Sequence, residues 1–133
     1  MKMAILEASM AFKLKTSKKT EEIFDRIEAS ENMPWYTLAR LAIALSIRQG
    51  AVQNIDLETD NLGRELNRQT ITGDTDIVYK TLIQLQENRH LTEDEFFPTY
   101  TKAHLDRGAI LLDQEQRYGD DLLIQLTELE KSI

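Results

Sequence analysis

WYTLARLAIALSIRQG, residues 35–50, reads as a helix that is apolar on nearly every side. Pro34 stands where a first helical turn tolerates proline, and Gly50 is a typical C-terminal stop. Two apolar stripes run along this helix: Trp35, Leu38, Leu41, Ala42 and Leu45 on one side, and Ile43 and Ile47 on another. A helix this apolar must be buried on more than one side, either in the core or between subunits. The stretch therefore predicts a mainly helical fold built around it.

Upstream of this helix, the sequence predicts a short strand and a first helix. Phe12, Leu14 and Thr16 alternate with two lysines, which is the period of a half-buried strand. A strand this short needs a partner, and a second copy of the chain could supply it. Ser17 has the side chain of an N-cap, and the helix that follows is expected to end near the polar residues 30–32. Strand, helix, turn and helix is the order of a ribbon-helix-helix unit, whose paired strands enter the DNA major groove.

Downstream of this helix, a loop-rich connector at residues 51–74 leads into further helical patterns. Apolar residues recur at helical spacing in three places: Ile77, Val78, Leu82 and Leu85; then Leu105, Ile110, Leu111 and Leu112; and finally Leu122, Leu126 and Leu129. Thr92 and Glu95 form a capping-box pair that opens a short helix, and Pro98 is expected to interrupt it.

Together these patterns predict a mainly α, single-domain helical fold with a short N-terminal β segment and a ribbon-helix-helix-like start. Met10 resembles a second translation start, so we expect residues 1–9 to be a disordered N-terminal extension and residues 10–133 to form the domain. A chain of 133 residues is long enough to bury its own core. No apolar run approaches the roughly 20 residues that span a bilayer, and the chain has no cysteine. Both features fit a cytoplasmic protein without membrane contact.

The charge of the chain is distributed unevenly. Residues 1–50 hold eight Lys/Arg and six Asp/Glu, a balance of +2, whereas residues 51–133 hold eight and seventeen, a balance of -9, and the two sum to -7. FKLKTSKK, residues 12–19, contributes four lysines without one acid: Lys13, Lys15, Lys18 and Lys19. We call these eight residues the basic segment. An acidic chain can still bind DNA, but the attraction is then confined to a patch of this kind.

The four lysines of the basic segment are the predicted DNA-binding residues. Lys13 and Lys15 share one face of the strand, and Lys18 and Lys19 lie at a helix N-terminus, where unpaired backbone N–H groups also favour phosphate. Ammonium groups are point charges suited to phosphates, whereas base edges are more often read by Arg, Asn or Gln. The pattern therefore predicts a salt-dependent, weakly sequence-selective contact with the DNA backbone, although a solvated surface would give the same run of lysines.

Motifs that would indicate catalysis are absent from the sequence. His90 and His104 are the only histidines, and neither has the spacing of a metal-ligand or catalytic motif. Neither a P-loop nor a dinucleotide-binding glycine pattern occurs. The acidic stretch TEDE at residues 92–95 is better explained by helix capping and the helix dipole than by metal binding. We therefore expect no enzymatic activity, no cofactor and no metal.

Three pieces of sequence point to a known family: Leu38-Ala39-Arg40, then Gly63-Arg64-Glu65 with Thr72-Gly73, then His104-Leu105 with Gly108. With these three pieces in this order, the chain strongly resembles the DndE family from about Met10 to Leu112. Members of this family are the small subunit of the bacterial DNA sulphur modification (phosphorothioation) system. The resemblance implies a non-catalytic subunit that binds duplex DNA, including nicked duplex, and that assembles as a homo-oligomer, with a tetramer expected. The implied partners are the other modification proteins, an ATPase and an ATP-pyrophosphatase-like subunit.

The resemblance also implies roles for other parts of the chain. It makes the apolar helix at residues 35–50 an assembly surface. We expect a structural role, in the fold or in a subunit interface, for four family motif residues: Arg40, Glu65, Arg68 and His104.

Two other functions remain open from the sequence. One is a scaffold that holds the companion proteins together through the acidic C-terminal part, with residues 120–133 as the contact. The other is a sequence-specific ribbon-helix-helix repressor, which would select among intact duplexes.

Overall fold

The structure is a computed structural model, and it describes residues 12–118. Its elements, in chain order, are β1 (Lys13–Lys15), α1 (Lys18–Glu31), α2 (Trp35–Gln49), a 3-10 turn (Asn54–Glu58), β2 (Glu65–Asn67), α3 (Arg68–Ile71), a 3-10 turn (Gly73–Thr75), α4 (Asp76–Glu87), a π-helical segment (Glu95–Tyr100) and α5 (Thr101–Tyr118). The predicted class, mainly helical with a short N-terminal β segment, is confirmed. The predicted extension at residues 1–9 and amphipathic stripe at residues 120–133 lie outside the described residues.

Local signals set the ends of the first two helices, as predicted. Ser17 Oγ accepts a hydrogen bond from the Thr20 backbone N–H, which caps α1. Asn32 ends α1 in the left-handed conformation, which asparagine adopts more readily than most residues. Pro34 precedes α2, and Gly50 follows it with φ of 111°. Because each cap acts within a few residues, these boundaries are readable from the sequence.

Helix α2 lies in the core of the chain and packs mainly against α5. Its buried residues are Trp35, Leu38, Ala39, Ala42, Ile43, Ser46 and Ile47, while Leu41 and Leu45 are partly buried. Gly108 lets the helices approach closely, since a Cβ at that position would lie 1.8 Å from the Ala42 carbonyl oxygen. Because α1 and α5 of the same chain contact α2, its buried residues need no second copy to cover them, and a role of α2 in assembly stays a prediction.

Strand β1 finds its partner within the same chain. It pairs antiparallel with β2, with Leu14 opposite Leu66 and both buried. A second copy is therefore not needed to pair β1, and the predicted connector supplies β2. Phe12, expected on the half-buried face, is 60% exposed. The result is a short two-stranded ribbon at the corner where the chain enters α1.

The second half of the described chain follows the predicted order of helices. Thr92 and Glu95 form the predicted capping box, since the backbone N–H of each residue donates to the side chain of the other. Phe97 has non-helical backbone angles just before Pro98, which confirms the predicted interruption. Helix α5 then buries Leu105 and Leu112 in the core. None of the helices within residues 12–118 has the length and hydropathy needed to cross a bilayer.

Candidate nucleic-acid interface

The exposed face of the ribbon carries two of the four predicted lysines. Lys13 and Lys15 flank the buried Leu14 and are both exposed. Across the ribbon, Lys13 faces Asn67 and Lys15 faces Glu65. The strand period predicted this placement, because successive side chains of a strand point to opposite faces. Lys18 and Lys19 follow within four residues, at the exposed start of α1.

The four lysines differ in how far their charge is neutralised. Lys13 Nζ lies 3.5 Å from Glu65 Oε2, and Lys18 Nζ lies 2.7 Å from Glu21 Oε1. The hydrogen bond and charge of Glu21 raise the pKa of Lys18. Lys15 and Lys19 form no ion pair with any residue in the range 12–118. The unneutralised charge of the basic segment is therefore concentrated on these two lysines.

The N-terminus of α1 is occupied by side chains of the chain itself. The Lys18 backbone N–H donates to Asp60 Oδ1 at 2.9 Å, and the Ser17 N–H donates to Asp106 Oδ1 at 3.1 Å. Hydrogen bonds from the backbone of Lys18 and Leu62 lower the pKa of Asp60, so this carboxylate stays ionised. The expectation of unpaired N–H groups for phosphate is therefore wrong for Ser17 and Lys18, whose N–H groups are taken by carboxylates of the chain.

A buried carboxylate holds the basic segment against the rest of the fold. Asp106, which is 3% exposed, accepts hydrogen bonds from the Ser17 backbone, from Thr20 Oγ1 at 2.6 Å and from Thr59 Oγ1 at 2.6 Å. Lys102 Nζ neutralises it at 2.6 Å and also donates to the Asp60 carbonyl at 2.8 Å. These contacts tie β1 and α1 to α5, so the lysines project from a fixed corner.

Close backbone packing at Gly63 tightens the same corner. A Cβ on this residue would lie 2.2 Å from the Ser17 carbonyl oxygen, so no other residue fits without movement. The Gly63 N–H donates to the Thr16 carbonyl at 2.9 Å. The glycine of the Gly63-Arg64-Glu65 motif therefore has a packing role beside the basic segment.

Arg64 is a cation beside the basic segment that the sequence analysis named only as part of a motif. Its backbone pairs with Thr16, since the Thr16 N–H donates to the Arg64 carbonyl at 3.0 Å. Its guanidinium lies over the Trp35 ring, 4.4 Å from the centroid, and the residue is exposed. Within residues 12–118 it forms no ion pair. Only the pairing of β1 with β2 brings it next to Thr16, which is 48 positions away in the sequence.

The other family motif residues make contacts within the fold. Arg40 donates to the carbonyls of Thr70 and Ile71 at 3.0 and 3.1 Å. Arg68 pairs with Asp76 and lies over the rings of two phenylalanines. His104 is fully buried. These contacts agree with the structural roles expected from the sequence.

The described part of the chain contains no group of three His, Asp or Glu residues able to hold a metal ion. Two open depressions lie on the surface of this part of the chain. One of about 500 Å³ adjoins Arg40, Thr72 and Tyr79, and another of about 380 Å³ lies at the end of α4.

Comparison with known proteins adds two findings and one absence. The family model described as DNA sulphur modification protein DndE matches residues 13–119. No curated protein gives a match. Among solved structures, the crystal structure of DndE from Escherichia coli B7A, involved in DNA phosphorothioation modification, superimposes with a TM-score of 0.62 at 16% identity, covering 77% of this chain and 97% of that one. A DndE mutant with two glycines changed to lysine gives a TM-score of 0.57, with the same identity and coverage. At this identity the structures show a shared fold.

Proposed function

Because the chain belongs to the DndE family of DNA sulphur modification proteins, which take part in DNA phosphorothioation, we propose that it is the non-catalytic, DNA-binding subunit of that system. The observation that supports this proposal is the basic segment. An acidic chain, with formal charge -7, holds four exposed lysines at one fixed corner, and two of them have no acidic partner within residues 12–118. Such a corner attracts a polyanion even though the whole chain is negative.

The proposed ligand is the phosphate backbone of duplex DNA, including nicked duplex. Lysine ammonium groups suit phosphate oxygens, and the exposed ribbon face offers Asn67 but no arginine fork for reading bases. We therefore expect the protein to bind duplex DNA with weak sequence selectivity. Arg64 is left out of the proposed DNA contact, because its backbone pairs with Thr16 and its guanidinium lies over the ring of buried Trp35.

The wider setting of the protein is part of the same proposal. We place it in the cytoplasm, as a homo-oligomer that works with the ATPase and ATP-pyrophosphatase-like proteins of the system. We also propose that residues 10–133 act as one domain. The alternative of a ribbon-helix-helix repressor is disfavoured, because β1 already pairs with β2 of its own chain. The scaffold alternative depends on residues 120–133, outside the described residues.

The experiment is a binding titration with nicked and intact duplexes of the same sequence. Changing Lys13, Lys15, Lys18 and Lys19 together to Glu should weaken binding at least about 100-fold, since it reverses the charge of the whole corner. A circular-dichroism spectrum identical to that of the wild type would show that the fold is kept. Unchanged affinity in this variant would rule out the basic segment as the DNA site.

Two matched double variants test the site more sharply. Lys15→Gln with Lys19→Gln removes the two lysines without acidic partners, and Lys13→Gln with Lys18→Gln removes the two paired ones. Both variants carry the same net charge, so a difference between their DNA affinities reports which lysines carry the local positive field. We expect a several-fold larger loss of affinity for the first pair. Equal losses would mean that the ion pairs with Glu65 and Glu21 are open when DNA binds.

A further inference from the structure

Leu62 is a large apolar side chain that stands in solvent beside the basic segment. It is 73% exposed, and it lies in the loop that leads into β2. Other exposed apolar residues lie together along α4, and Leu62 is separate from that group: Ile77, Val78, Leu82 and Leu85. A leucine left in solvent contributes little to the stability of the fold, so its surroundings indicate its role.

The backbone of Leu62 is held directly beside that of Lys18. The N–H groups of both residues donate to the same oxygen, Asp60 Oδ1, at 3.0 Å from Leu62 and 2.9 Å from Lys18. The next residue, Gly63, packs so closely on Ser17 that a Cβ on it would lie 2.2 Å from the Ser17 carbonyl oxygen. Leu62 therefore projects from the same corner of the fold as the lysines of the basic segment.

Hydrogen bonds on both sides of Leu62 fix the backbone that carries its side chain. On the C-terminal side, the Arg64 N–H donates to Thr16 Oγ1 at 3.0 Å. On the N-terminal side, Lys102 Nζ donates to the Asp60 carbonyl at 2.8 Å. A side chain on a backbone held in this way loses little freedom when it enters a binding partner, so its contact is not weakened by a large cost of ordering.

Lysine contacts alone do not distinguish a nicked duplex from an intact one. Ammonium groups bind phosphate oxygens, and both duplexes offer nearly the same row of phosphates. The two duplexes differ in their base stack, because one strand is interrupted at a nick and the bases beside it separate at a lower cost. A side chain that enters the stack therefore senses a nick, and leucine is one of the apolar residues that proteins insert between bases.

We propose that Leu62 is a wedge that enters the base stack of bound duplex DNA and gives the protein a preference for nicked duplex. This inference rests on the proposed function, because the basic segment must hold the phosphate backbone while the wedge enters. The lysines set the affinity for duplexes of either kind, and Leu62 sets the difference between the two. The uncharged leucine suits the space between bases, while Lys18 beside it carries the charge that suits the flanking phosphates.

Ile55 provides a matched control for Leu62. It is 74% exposed, against 73% for Leu62, and it lies in the same connector between α2 and β2. Its neighbour Asp56 lies 3.6 Å from Arg107, which also donates to the Gly50 carbonyl. Ile55 is thus placed near the C-terminal end of α2 and not at the start of α1, so truncating it removes a similar apolar surface from a different part of the molecule.

The test compares the affinities of four proteins for a nicked and an intact duplex of the same sequence at one salt concentration. The wild type should bind the nicked duplex about 10-fold more tightly than the intact one. Leu62→Ala should lower this ratio to near unity, mainly by weakening the binding of the nicked duplex. Leu62→Met, which has a similar volume, should keep the ratio of the wild type, and so should Ile55→Ala.

A fluorescence measurement reports the wedge directly. The base 2-aminopurine, placed beside the nick, brightens when it leaves the stack, so its emission should rise on saturation with the wild type or Ile55→Ala and not with Leu62→Ala. A Leu62→Ala variant that keeps the nick preference of the wild type, or a wild type that binds without a rise in emission, would overturn the wedge alone. A wild type that binds neither duplex would contradict the proposed function itself.

Discussion

His104 lies buried where α5 packs on α2, and its contacts fix the position of its proton. Arg107 Nε donates to Ser46 Oγ at 2.8 Å, so the serine proton is directed to His104 Nδ1, also at 2.8 Å. The ring is then neutral with its proton on Nε2, which is buried without a hydrogen-bond partner among residues 12–118. Burial lowers the pKa of His104 to about 4, and the positive charge of Arg107 adds to this effect. The role of His104 is therefore structural.

The pKa of His104 predicts a loss of stability in mild acid. The folded-state pKa of about 4 lies below the value of 6.5 for a free histidine, so the unfolded chain binds the extra proton first. The contribution of neutral His104 to the free energy of unfolding is fully present above about pH 6.5. It decreases by roughly 3 kcal/mol as the pH falls towards 4. Urea unfolding at pH 7, 6, 5 and 4.5 measures this dependence.

Two histidine variants separate this contribution from that of other groups. His104→Gln keeps an acceptor for Ser46 but has no titrating ring, so its unfolding free energy should depend less on pH between 6.5 and 4.5. His90 is exposed, and His90→Gln should keep the dependence of the wild type. A His104→Gln variant as sensitive to pH as the wild type would assign the effect to other residues.

At the scale of the helices, the crossing of α2 and α5 leaves little room for a larger residue. At Gly108 the backbone of α5 touches that of α2, and the contacting atom at Ala42 belongs to the main chain, which cannot move aside as a long side chain can. Arg107, one residue earlier, donates to the carbonyls of Ser46, Gly50 and Ala51 and so satisfies the C-terminal end of α2. The two helices are thus joined both by close packing and by a cap that spans them.

Gly108→Ala is therefore expected to destabilise the fold by about 1–3 kcal/mol, because α5 must move away from α2 to admit one methyl group. Chemical denaturation measures the change. Gln114→Ala, an exposed position on the same helix, is the matched control and should change stability by less than about 0.5 kcal/mol. A Gly108→Ala protein as stable as the control would mean that the two helices are free to shift.

For the molecule as a whole, the net charge of -7 opposes both DNA binding and self-association. The basic segment provides a local positive field at one corner of this acidic chain. In the proposed homo-oligomer, each copy adds the four lysines of its basic segment to the assembly.

The salt dependence of binding tests the role of this field. The slope of log affinity against log salt is about -0.9 for each phosphate neutralised on duplex DNA, so the slope reports how many cations contact the backbone. We expect the variant with Lys15→Gln and Lys19→Gln to bind DNA with a smaller slope than the wild type. An unchanged slope would show that these two lysines do not contact phosphate.

The parts of the structure that could be predicted from the sequence are those set by near neighbours. The N-cap at Ser17, the stop at Gly50 and the capping box of Thr92 with Glu95 each act within a few residues. The alternation around Leu14 likewise placed Lys13 and Lys15 on the exposed face. The apolar stretch at residues 35–50 predicted a buried helix, since no other environment stabilises so apolar a surface.

The remaining features depend on residues far apart in the sequence. Asp60 and Asp106 occupy the start of α1 from 42 and 89 positions away, and Glu65 neutralises Lys13 across the ribbon. The orientation of α4 could not be predicted, because its apolar period indicates a buried face whichever partner buries it. Ion pairs such as Lys80 with Glu93 turn that face outwards. Amino-acid order determines which surfaces are apolar or charged, whereas long-range packing and ion pairing determine what each surface meets.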